Sequence, residues 1–249
     1  MRLAGIDLGS RAIKVVVVRA DGGILEQRSA DTTFDPLRQC QELLDGLRFD
    51  RIQATGYGRH LFRDVYEKAC IVSEILAHAR GAIAAEPRVR AVLDIGGQDT
   101  KAIALDPAGK VLKFEMNDRC AAGTGKFLEV MARAFGLSVH DFGPFAEAAH
   151  RPCKISSMCT VFAESEATSL MARGEPPMNI AFGLHLAVAA RSVAMLRRVT
   201  ACGPVAFTGG VARNSCIRRL LEDALEGQLL IAAEPQFIGA LGAALLLRG

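Results

Sequence analysis

Short apolar runs and longer amphipathic stretches alternate along the chain. The short runs are rich in β-branched residues and bounded by glycine or aspartate, as at residues 15–18, and they predict strands. The longer stretches repeat their apolar residues at helical spacing and predict helices near residues 36–47, 72–85, 122–135, 142–149, 161–172, 178–199, 214–225 and 236–247. Further strands are predicted at residues 51–55, 204–208 and 229–232. Strands interleaved with helices of this length indicate an α/β fold.

The chain contains an internal repeat. An aspartate, a glycine, a lysine and a turn glycine keep the same relative positions in both copies: Asp7, Gly9, Lys14 and Gly22 in the first, Asp94, Gly96, Lys101 and Gly109 in the second. Each copy predicts a three-stranded meander, because apolar runs are separated by glycine turns. The duplication predicts two lobes that share a cleft. The first comprises residues 1–87 together with the C-terminal helix at 236–249, and the second comprises residues 88–235, with a boundary at Glu86-Pro87.

Three glycine turns in this sequence are candidates for holding a nucleotide. A carboxylate at the end of a strand followed by glycine lets the backbone approach a phosphate while the carboxylate holds Mg²⁺ directly or through water. One such turn alone is usually an ordinary turn, but the repeat supplies two that would face each other. A third turn follows an apolar strand and opens a helix, which suits packing against a base or ribose, although it could also be a plain strand-to-helix connection. The candidate residues are Asp7, Gly9, Ser10 and Lys14, then Asp94, Gly96 and Gly97, then Gly209 and Gly210.

Taken together, these turns and the repeat resemble the superfamily of actin, sugar kinases and heat-shock chaperone ATPases. The resemblance implies two ribonuclease-H-like lobes, the actin-like ATPase fold, with ATP in the interlobe cleft. Neither a Walker A loop nor a dinucleotide fingerprint is present in the sequence. Gln98 is the candidate for orienting the attacking water, by analogy with small GTPases; alternatively its amide caps the turn.

Longer strings narrow the resemblance to one family. They lie at residues 54–59 (ATGYGR), 94–99 (DIGGQD), 116–128 (MNDRCAAGTGKFL), 157–166 (SMCTVFAESE), 208–212 (TGGVA) and 235–242 (PQFIGALG). Over essentially its whole length the chain resembles the activator ATPases of 2-hydroxyacyl-CoA dehydratases and the ATPase subunits of benzoyl-CoA reductases. The resemblance implies ATP-dependent electron transfer from ferredoxin or flavodoxin to a CoA-thioester dehydratase or reductase. It also implies a dimer, formed by identical chains or with a paralogous subunit, with one shared 4Fe-4S cluster held by Cys120 and Cys159.

The residues themselves add a physical argument for these two cysteines. Two thiolates cannot complete the four-cysteine shell of a 4Fe-4S cluster, so a two-fold axis would have to supply the others. Both cysteines precede a predicted helix, where free amides favour an anion. Without the family they would more often be buried structural thiols. Gly123, Thr124 and Gly125 follow Cys120 directly, and a similar segment lies against the nucleotide phosphates in sugar kinases, so one helix start would contact both nucleotide and cluster.

Composition narrows the function classes. The net charge is +3, with two Tyr and no Trp, so a nucleic-acid surface is not expected. The N-terminus reaches Asp7 without an apolar stretch of signal-peptide length, and the apolar runs at 15–18 and 245–247 are too short to span a bilayer, so we expect a cytoplasmic protein without membrane attachment. Seven scattered cysteines argue against a disulfide framework.

Two rival functions remain open at this point. A small-molecule kinase of the same fold would use Asp94 or Asp99 as general base, but it would leave Cys120 and Cys159 without a role. A noncatalytic regulator would bind nucleotide and change its affinity for a partner. The intact set of Asp7, Asp94 and Gln98 favours hydrolysis over this second alternative.

Overall fold

The computed structural model describes residues 1–156, 159–200 and 203–248. Ser157 and Met158 of the second cysteine segment, Cys202, and Gly249 at the end of the predicted C-terminal helix lie outside the described residues. The strands are β1 (Arg2–Leu8), β2 (Ala12–Arg19), β3 (Ile24–Asp31), β4 (Arg51–Thr55), β5 (Cys70–Ile71), β6 (Ala91–Ile95), β7 (Thr100–Leu105), β8 (Val111–Asn117) and β9 (Val205–Thr208). The α-helices are α1 (Pro36–Leu44), α2 (Arg59–Val65), α3 (Glu74–Ala85), α4 (Gly125–Ala134), α5 (Val139–Glu147), α6 (Thr160–Ala172), α7 (Pro177–Val199), α8 (Ser215–Leu225) and α9 (Ile238–Leu246).

The strands form two sheets with matching topology, which confirms the predicted α/β class and the duplicated meander. The first has the order β3-β2-β1-β4-β5 and the second β8-β7-β6-β9. In each sheet the opening strand of the meander pairs antiparallel with the next strand and parallel with a later one. The registers agree as well, since Asp7 lies opposite Lys14 and Asp94 lies opposite Lys101.

Helix α9 packs against β1 and α3 and thus completes the layer on the first sheet. Glycines permit this close approach. A β-carbon on Gly5 would collide with the Ala240 carbonyl oxygen, and one on Gly242 would collide with the Ala77 carbonyl oxygen. The backbone of α9 therefore lies directly on the strand that carries Asp7.

Several predicted boundaries are wrong, each for a local reason. Helix α2 is absent from the prediction: four of its seven residues are polar, Leu61 and Val65 are exposed, and Phe62 is its one buried residue. The strand predicted at 229–232 is reduced to a single parallel bridge between Leu230 and Ala206. Helix α5 begins at Val139, earlier than predicted, because the Ser138 side chain caps it by accepting a hydrogen bond from the Asp141 amide.

The start of α4 also differs from the prediction. Residues 121–124 form a turn in which the Thr124 amide donates to the Ala121 carbonyl at 3.0 Å, and the helix begins at Gly125 rather than at Ala122. Cys120 therefore does not immediately precede a helix N-terminus, contrary to the prediction.

Helix α7 is long and apolar enough, by length and composition alone, to cross a membrane. However, 67% of its most apolar 18-residue segment is buried inside the protein, as is usual for a core helix of a folded protein. It packs against α5, α8 and β7 in the hydrophobic core beside the second sheet.

Candidate functional site

A cleft of about 470 Å³ opens between the two sheets, at the ends of their central strands. This volume is typical of a small-molecule site. Most of the nucleotide-binding residues predicted from sequence line it: Asp7, Gly9, Ser10, Lys14, Asp94, Gly96, Gly97, Gly125, Gly209 and Gly210. The three glycine turns are thus brought together from segments about 90 and 110 residues apart in the chain, through the matched topology of the two sheets.

The two aspartate turns contact each other across the cleft. A β-carbon on Gly97 would lie 2.5 Å from the Arg11 Cβ, so only glycine allows the two turns to approach this closely. Arg11 also forms an ion pair with Glu129 of α4, with 3.4 Å between Nε and Oε2. The turn between β1 and β2 therefore contacts the Gly97 turn and α4 beside the cleft.

Each aspartate is paired with the lysine opposite it in the repeat. Lys14 Nζ lies 3.5 Å from Asp7 Oδ2, and Lys101 Nζ lies 3.4 Å from Asp94 Oδ2. The two pairs differ in burial, since the Lys14 side chain is 17% exposed and that of Lys101 is 2% exposed. Both lysines line the cleft, but Lys14 is the more accessible to a ligand because Lys101 is almost fully buried.

Lys101 pairs with three carboxylates, of which Asp94 is buried and Glu74 and Asp99 are partly exposed. Its Nζ is 2.8 Å from Glu74 Oε2 and 2.5 Å from Asp99 Oδ2, in addition to its contact with Asp94. Burial opposes its charge, but the three carboxylates outweigh burial and raise the pKa of Lys101. Because Glu74 begins α3 and Lys101 lies on β7, this cluster also connects α3 to the second sheet.

Asp94 is held as an anion although it is buried. Burial alone would raise its pKa, but the nearby side chains of His78 and Lys101 and a hydrogen bond from Thr208 Oγ1 at 2.8 Å lower the pKa of Asp94 below its ordinary value. His78 Nδ1 lies 3.2 Å from Asp94 Oδ1 but lacks hydrogen-bond geometry. An ionised, well-fixed carboxylate at the end of a strand suits Mg²⁺ or its bound water.

The pKa of Asp99 is shifted in the opposite direction from that of Asp94. Burial, together with the nearby charges of Asp94 and Glu74, raises the pKa of Asp99 despite the attraction of Lys101. Asp99 and its partners Glu74, His78 and Lys101 all line the cleft. Of these partners, Glu74 and His78 were not predicted as site residues, and Lys101 was noted only as the repeat partner of Lys14.

Three of the residues predicted for the nucleotide site do not line the cleft in the described part of the chain. Gln98 is exposed on the turn between Gly97 and Asp99 and does not line the cleft. Gly123 and Thr124 lie behind Gly125, and Thr124 is fully buried. The roles of Gln98 in hydrolysis and of Gly123 and Thr124 in binding stay predictions.

The third turn leads into α8 through a short 3-10 turn, Gly210–Arg213. Gly209 has a φ of +87°, and its amide donates to the Pro235 carbonyl at 3.1 Å. Asn214 lines the cleft and caps α8, because its Oδ1 accepts from the Ile217 amide at 2.9 Å. The Asn214 Nδ2 then faces His185 Nε2 at 3.1 Å.

His185 must be neutral in this arrangement. Its Nδ1 lies 2.8 Å from the Ala181 carbonyl and donates to it, so Nε2 has to accept from Asn214. Burial dominates and lowers the pKa of His185 to about 4, although the Ala181 carbonyl and Glu147 oppose this shift.

We expect acid to destabilise the protein through His185. The unfolded chain binds this proton near pH 6.5 and the folded one only near 4, so the stabilisation is complete above pH 6.5 and is lost as the pH falls toward 4. The loss should be on the order of 3 kcal/mol. Urea unfolding between pH 7.5 and 4.5 should show a smaller pH dependence for His185→Gln than for wild type, whereas the exposed-residue variant His150→Gln should follow wild type. Equal pH slopes for all three proteins would contradict this assignment.

The six cysteines within the described residues fall into two groups. Cys40 and Cys216 are buried, and burial raises the pKa of each thiol to about 12. Cys153 is also buried, and burial raises its pKa. Cys70, Cys120 and Cys159 are exposed, and the last two belong to segments that flank α4 and α6 beside the second sheet. The alternative of buried structural thiols is therefore wrong for Cys120 and Cys159.

The surroundings of these two exposed thiols differ. Cys159 is the N-cap residue of α6, as predicted, and it is followed by exposed Val161 and Phe162. Cys120 lies in the loop before α4, where Asn117 Nδ2 donates to its carbonyl at 2.9 Å. Within the described ranges no group of three or more potential metal-binding side chains converges in one chain.

Comparisons with known proteins agree with this geometry. The sequence profile of the BadF/BadG/BcrA/BcrD ATPase family matches residues 4–246. The activator of lactoyl-CoA dehydratase from Anaerotignum propionicum is 40% identical over 261 residues, covering 98% of this chain and 96% of the relative. One of the subunits of benzoyl-CoA reductase from Thauera aromatica is 33% identical over 261 residues, covering 97% of this chain and 91% of the relative.

A solved structure gives the same result. The activator of the 2-hydroxyisocaproyl-CoA dehydratase from Clostridium difficile, with bound ADPNP, superposes with a TM-score of 0.91 at 37% sequence identity and covers 100% of this chain and 94% of its own. This likeness confirms the predicted actin-like ATPase fold. The predicted family resemblance is confirmed too: the chain belongs to the BadF/BadG/BcrA/BcrD ATPase family.

Proposed function

We propose that this protein is an ATP-dependent one-electron donor. ATP hydrolysis would drive an electron from ferredoxin or flavodoxin through a 4Fe-4S cluster, one per dimer, to a 2-hydroxyacyl-CoA dehydratase or a benzoyl-CoA reductase-type enzyme. One observation carries the proposal. Two exposed thiols, Cys120 and Cys159, lie on the second lobe, and the Gly96-Gly97 turn of the cleft is hydrogen-bonded to the segment that follows Cys120.

The cleft supports the nucleotide part of the proposal. Asp94 is ionised and fixed by Thr208, and Asp7 occupies the equivalent position on the first sheet, so the pair can hold Mg²⁺ between them and the phosphates of ATP or ADP. Lys14 is exposed enough to contact a phosphate. We propose that the first lobe comprises residues 1–87 with 236–249, that the second comprises 88–235, and that they close on the nucleotide.

The described cysteines fit half of a cluster site. A 4Fe-4S cluster takes four thiolates, so Cys120 and Cys159 of one chain need the same two residues of a second chain. Buried thiols such as Cys40 and Cys216 are unsuited, because burial holds their pKa near 12. When bound, the cluster would supply a one-electron carrier. The protein would contribute the thiolates and the nucleotide-dependent position of the loops that bear them.

Exposed apolar side chains support the proposed dimer. Val161 and Phe162, next to Cys159, are 68% and 66% exposed. Strand β8, which ends just before the Cys120 loop, exposes Leu112, Phe114 and Met116 along one face. Large apolar side chains exposed in one region mark an interaction surface. The partner can be an identical chain or a paralogous subunit, and the complex is proposed to work in the cytoplasm.

The acceptor is proposed from the relatives. One is named an activator of lactoyl-CoA dehydratase and another belongs to benzoyl-CoA reductase. Both names refer to enzymes acting on CoA thioesters, which gives the substrate class of the partner but leaves both partner types as candidates.

Anoxic purification tests the proposal. We expect a brown protein with about four iron atoms and four sulfides per dimer. Cys120→Ser and Cys159→Ser should each remove the iron and the electron transfer, because the shell loses two of its four ligands in the dimer, while nucleotide binding persists. Cys70→Ser removes an exposed thiol of the first sheet and should keep the iron. A colourless wild-type protein with nucleotide affinity would instead favour a kinase or a regulator.

A further inference from the structure

The turn that carries Gly96 and Gly97 is bonded directly to the start of α4. The Gly125 amide donates to the Gly96 carbonyl at 2.9 Å, and the Lys126 amide donates to the Gly97 carbonyl at 2.7 Å. A β-carbon on Gly125 would lie 2.9 Å from the Gly96 oxygen and 3.4 Å from the Gly97 Cα. The two segments therefore touch without intervening space, so a displacement of the turn must move the start of α4.

Thr100 makes a second connection between the turn and the Cys120 loop. It is the first residue of β7 and is 3% exposed, and its Oγ1 donates to the Gly123 carbonyl at 2.7 Å. Thr124 closes this loop, because its hydroxyl donates to the Ala121 carbonyl at 2.7 Å. The residues between Cys120 and Thr124 thus form one turn, and the Thr100 hydroxyl attaches that turn to the sheet.

Asn117 holds the loop from the neighbouring strand. It lies opposite Thr100 in the pairing of β7 with β8. Its Nδ2 donates to the carbonyls of Cys120 at 2.9 Å and Ala122 at 3.2 Å. Thr100 and Asn117 therefore fix the backbone that presents the exposed Cys120 thiol, and Thr100 is only three residues from Gly97 on the cleft.

We propose that Thr100 is a positioning residue that couples the nucleotide cleft to Cys120. A nucleotide-dependent shift of Gly96 and Gly97 reaches the Cys120 thiol through the Thr100 hydroxyl and the turn that it holds. The role is mechanical, since the hydroxyl donates to a backbone carbonyl. This inference rests on the proposed function, in which Cys120 binds the cluster, but its test does not require a cluster.

The test measures the reactivity of Cys120 in reduced, cluster-free protein. The rate of its alkylation by iodoacetamide is followed by mass spectrometry of the Cys120 peptide, with Mg-ADPNP and without nucleotide. In wild type we expect the two rates to differ about fivefold, the equivalent of one ordinary hydrogen bond. In Thr100→Val the ratio should fall to about one while the Kd for ADPNP changes by less than about twofold. Thr100→Ser keeps the hydroxyl and should restore the ratio.

Two further variants keep the proposal falsifiable. Ser192→Ala removes another buried hydroxyl of the second lobe, one that donates to the Val188 carbonyl, and it should keep the wild-type ratio. Asn117→Ala should lose the ratio, and it replaces Thr100→Val if that variant does not fold. A wild-type ratio in Thr100→Val or Asn117→Ala, or its loss in Ser192→Ala, overturns the role of Thr100. If anoxically purified wild type holds no iron but its alkylation rate depends on nucleotide, the proposed function is overturned and the coupling is not. If it holds iron but the two alkylation rates are equal, the coupling is overturned and the proposed function is not.

Discussion

Replacing Lys101 by methionine is expected to lower the free energy of unfolding by about 3–5 kcal/mol, the usual cost of leaving buried charges without their partner. Lys101 is 2% exposed and lies within ion-pair distance of Asp94, Asp99 and Glu74. Methionine matches the length of the lysine side chain, so the packing is largely kept and the loss is electrostatic. Guanidinium unfolding without nucleotide should show a lower midpoint.

Two controls separate charge from packing in this experiment. Lys110 of the same lobe is exposed, and Lys110→Met should change stability by less than about 0.5 kcal/mol. Adding Glu74→Gln to Lys101→Met should recover part of the loss, because one uncompensated carboxylate is removed. If Lys101→Met unfolds at the wild-type midpoint, the carboxylates are protonated in the folded protein and the buried ion cluster does not exist as described.

The lysines illustrate what the sequence could predict about the site. The repeat placed Lys14 and Lys101 at equivalent positions, and the register confirms that each faces its aspartate. It could not show that Lys101 is enclosed while Lys14 stays accessible. That difference arises because Glu74 of α3 reaches across to Lys101, a contact between segments about 27 residues apart with no local signal.

His78 was missed for a similar reason. It lies in an alanine-rich stretch of α3 whose pattern predicts only a buried helix face. Its proximity to Asp94 depends on how α3 packs between α9 and the second sheet. Glycine turns, in contrast, carry their function in the backbone, so Gly96 and Gly209 could be recognised from local sequence.

The two cysteine-containing segments also show where prediction from sequence patterns ends. The strings around Cys120 and Cys159 were specific enough to identify the family, but the start of α4 was placed three residues early. The Asn117 and Thr100 hydrogen bonds that fix the Cys120 loop join a strand pair to a turn, and no periodic pattern encodes them. Helix boundaries that depend on side-chain hydrogen bonds to a neighbouring loop are thus the part of this fold that sequence patterns predict least well.

Asp94→Asn is expected to lower the ATPase rate by about 10²–10³-fold, the usual loss when one preorganised electrostatic group is removed from a reacting site. Asparagine has nearly the same shape, and its oxygen can still accept the hydrogen bond from Thr208 Oγ1. Lys101 also keeps Asp99 and Glu74, so the fold should survive. The loss of rate should therefore reflect the missing negative charge of the carboxylate, which would otherwise interact with Mg²⁺ or its bound water.

The pH dependence and a matched variant make this prediction specific. Because the pKa of Asp94 is lowered, the wild-type carboxylate stays ionised from mildly acidic pH upward, and the defect should be constant between about pH 6 and 9. Asp223→Asn, on the exposed side of α8, should retain the wild-type rate. Gln98→Ala should lower kcat and leave the Kd for ADPNP unchanged if Gln98 orients the attacking water. An Asp94→Asn enzyme within about threefold of wild type would place the catalytic charge elsewhere, because such a change is smaller than one ordinary hydrogen bond.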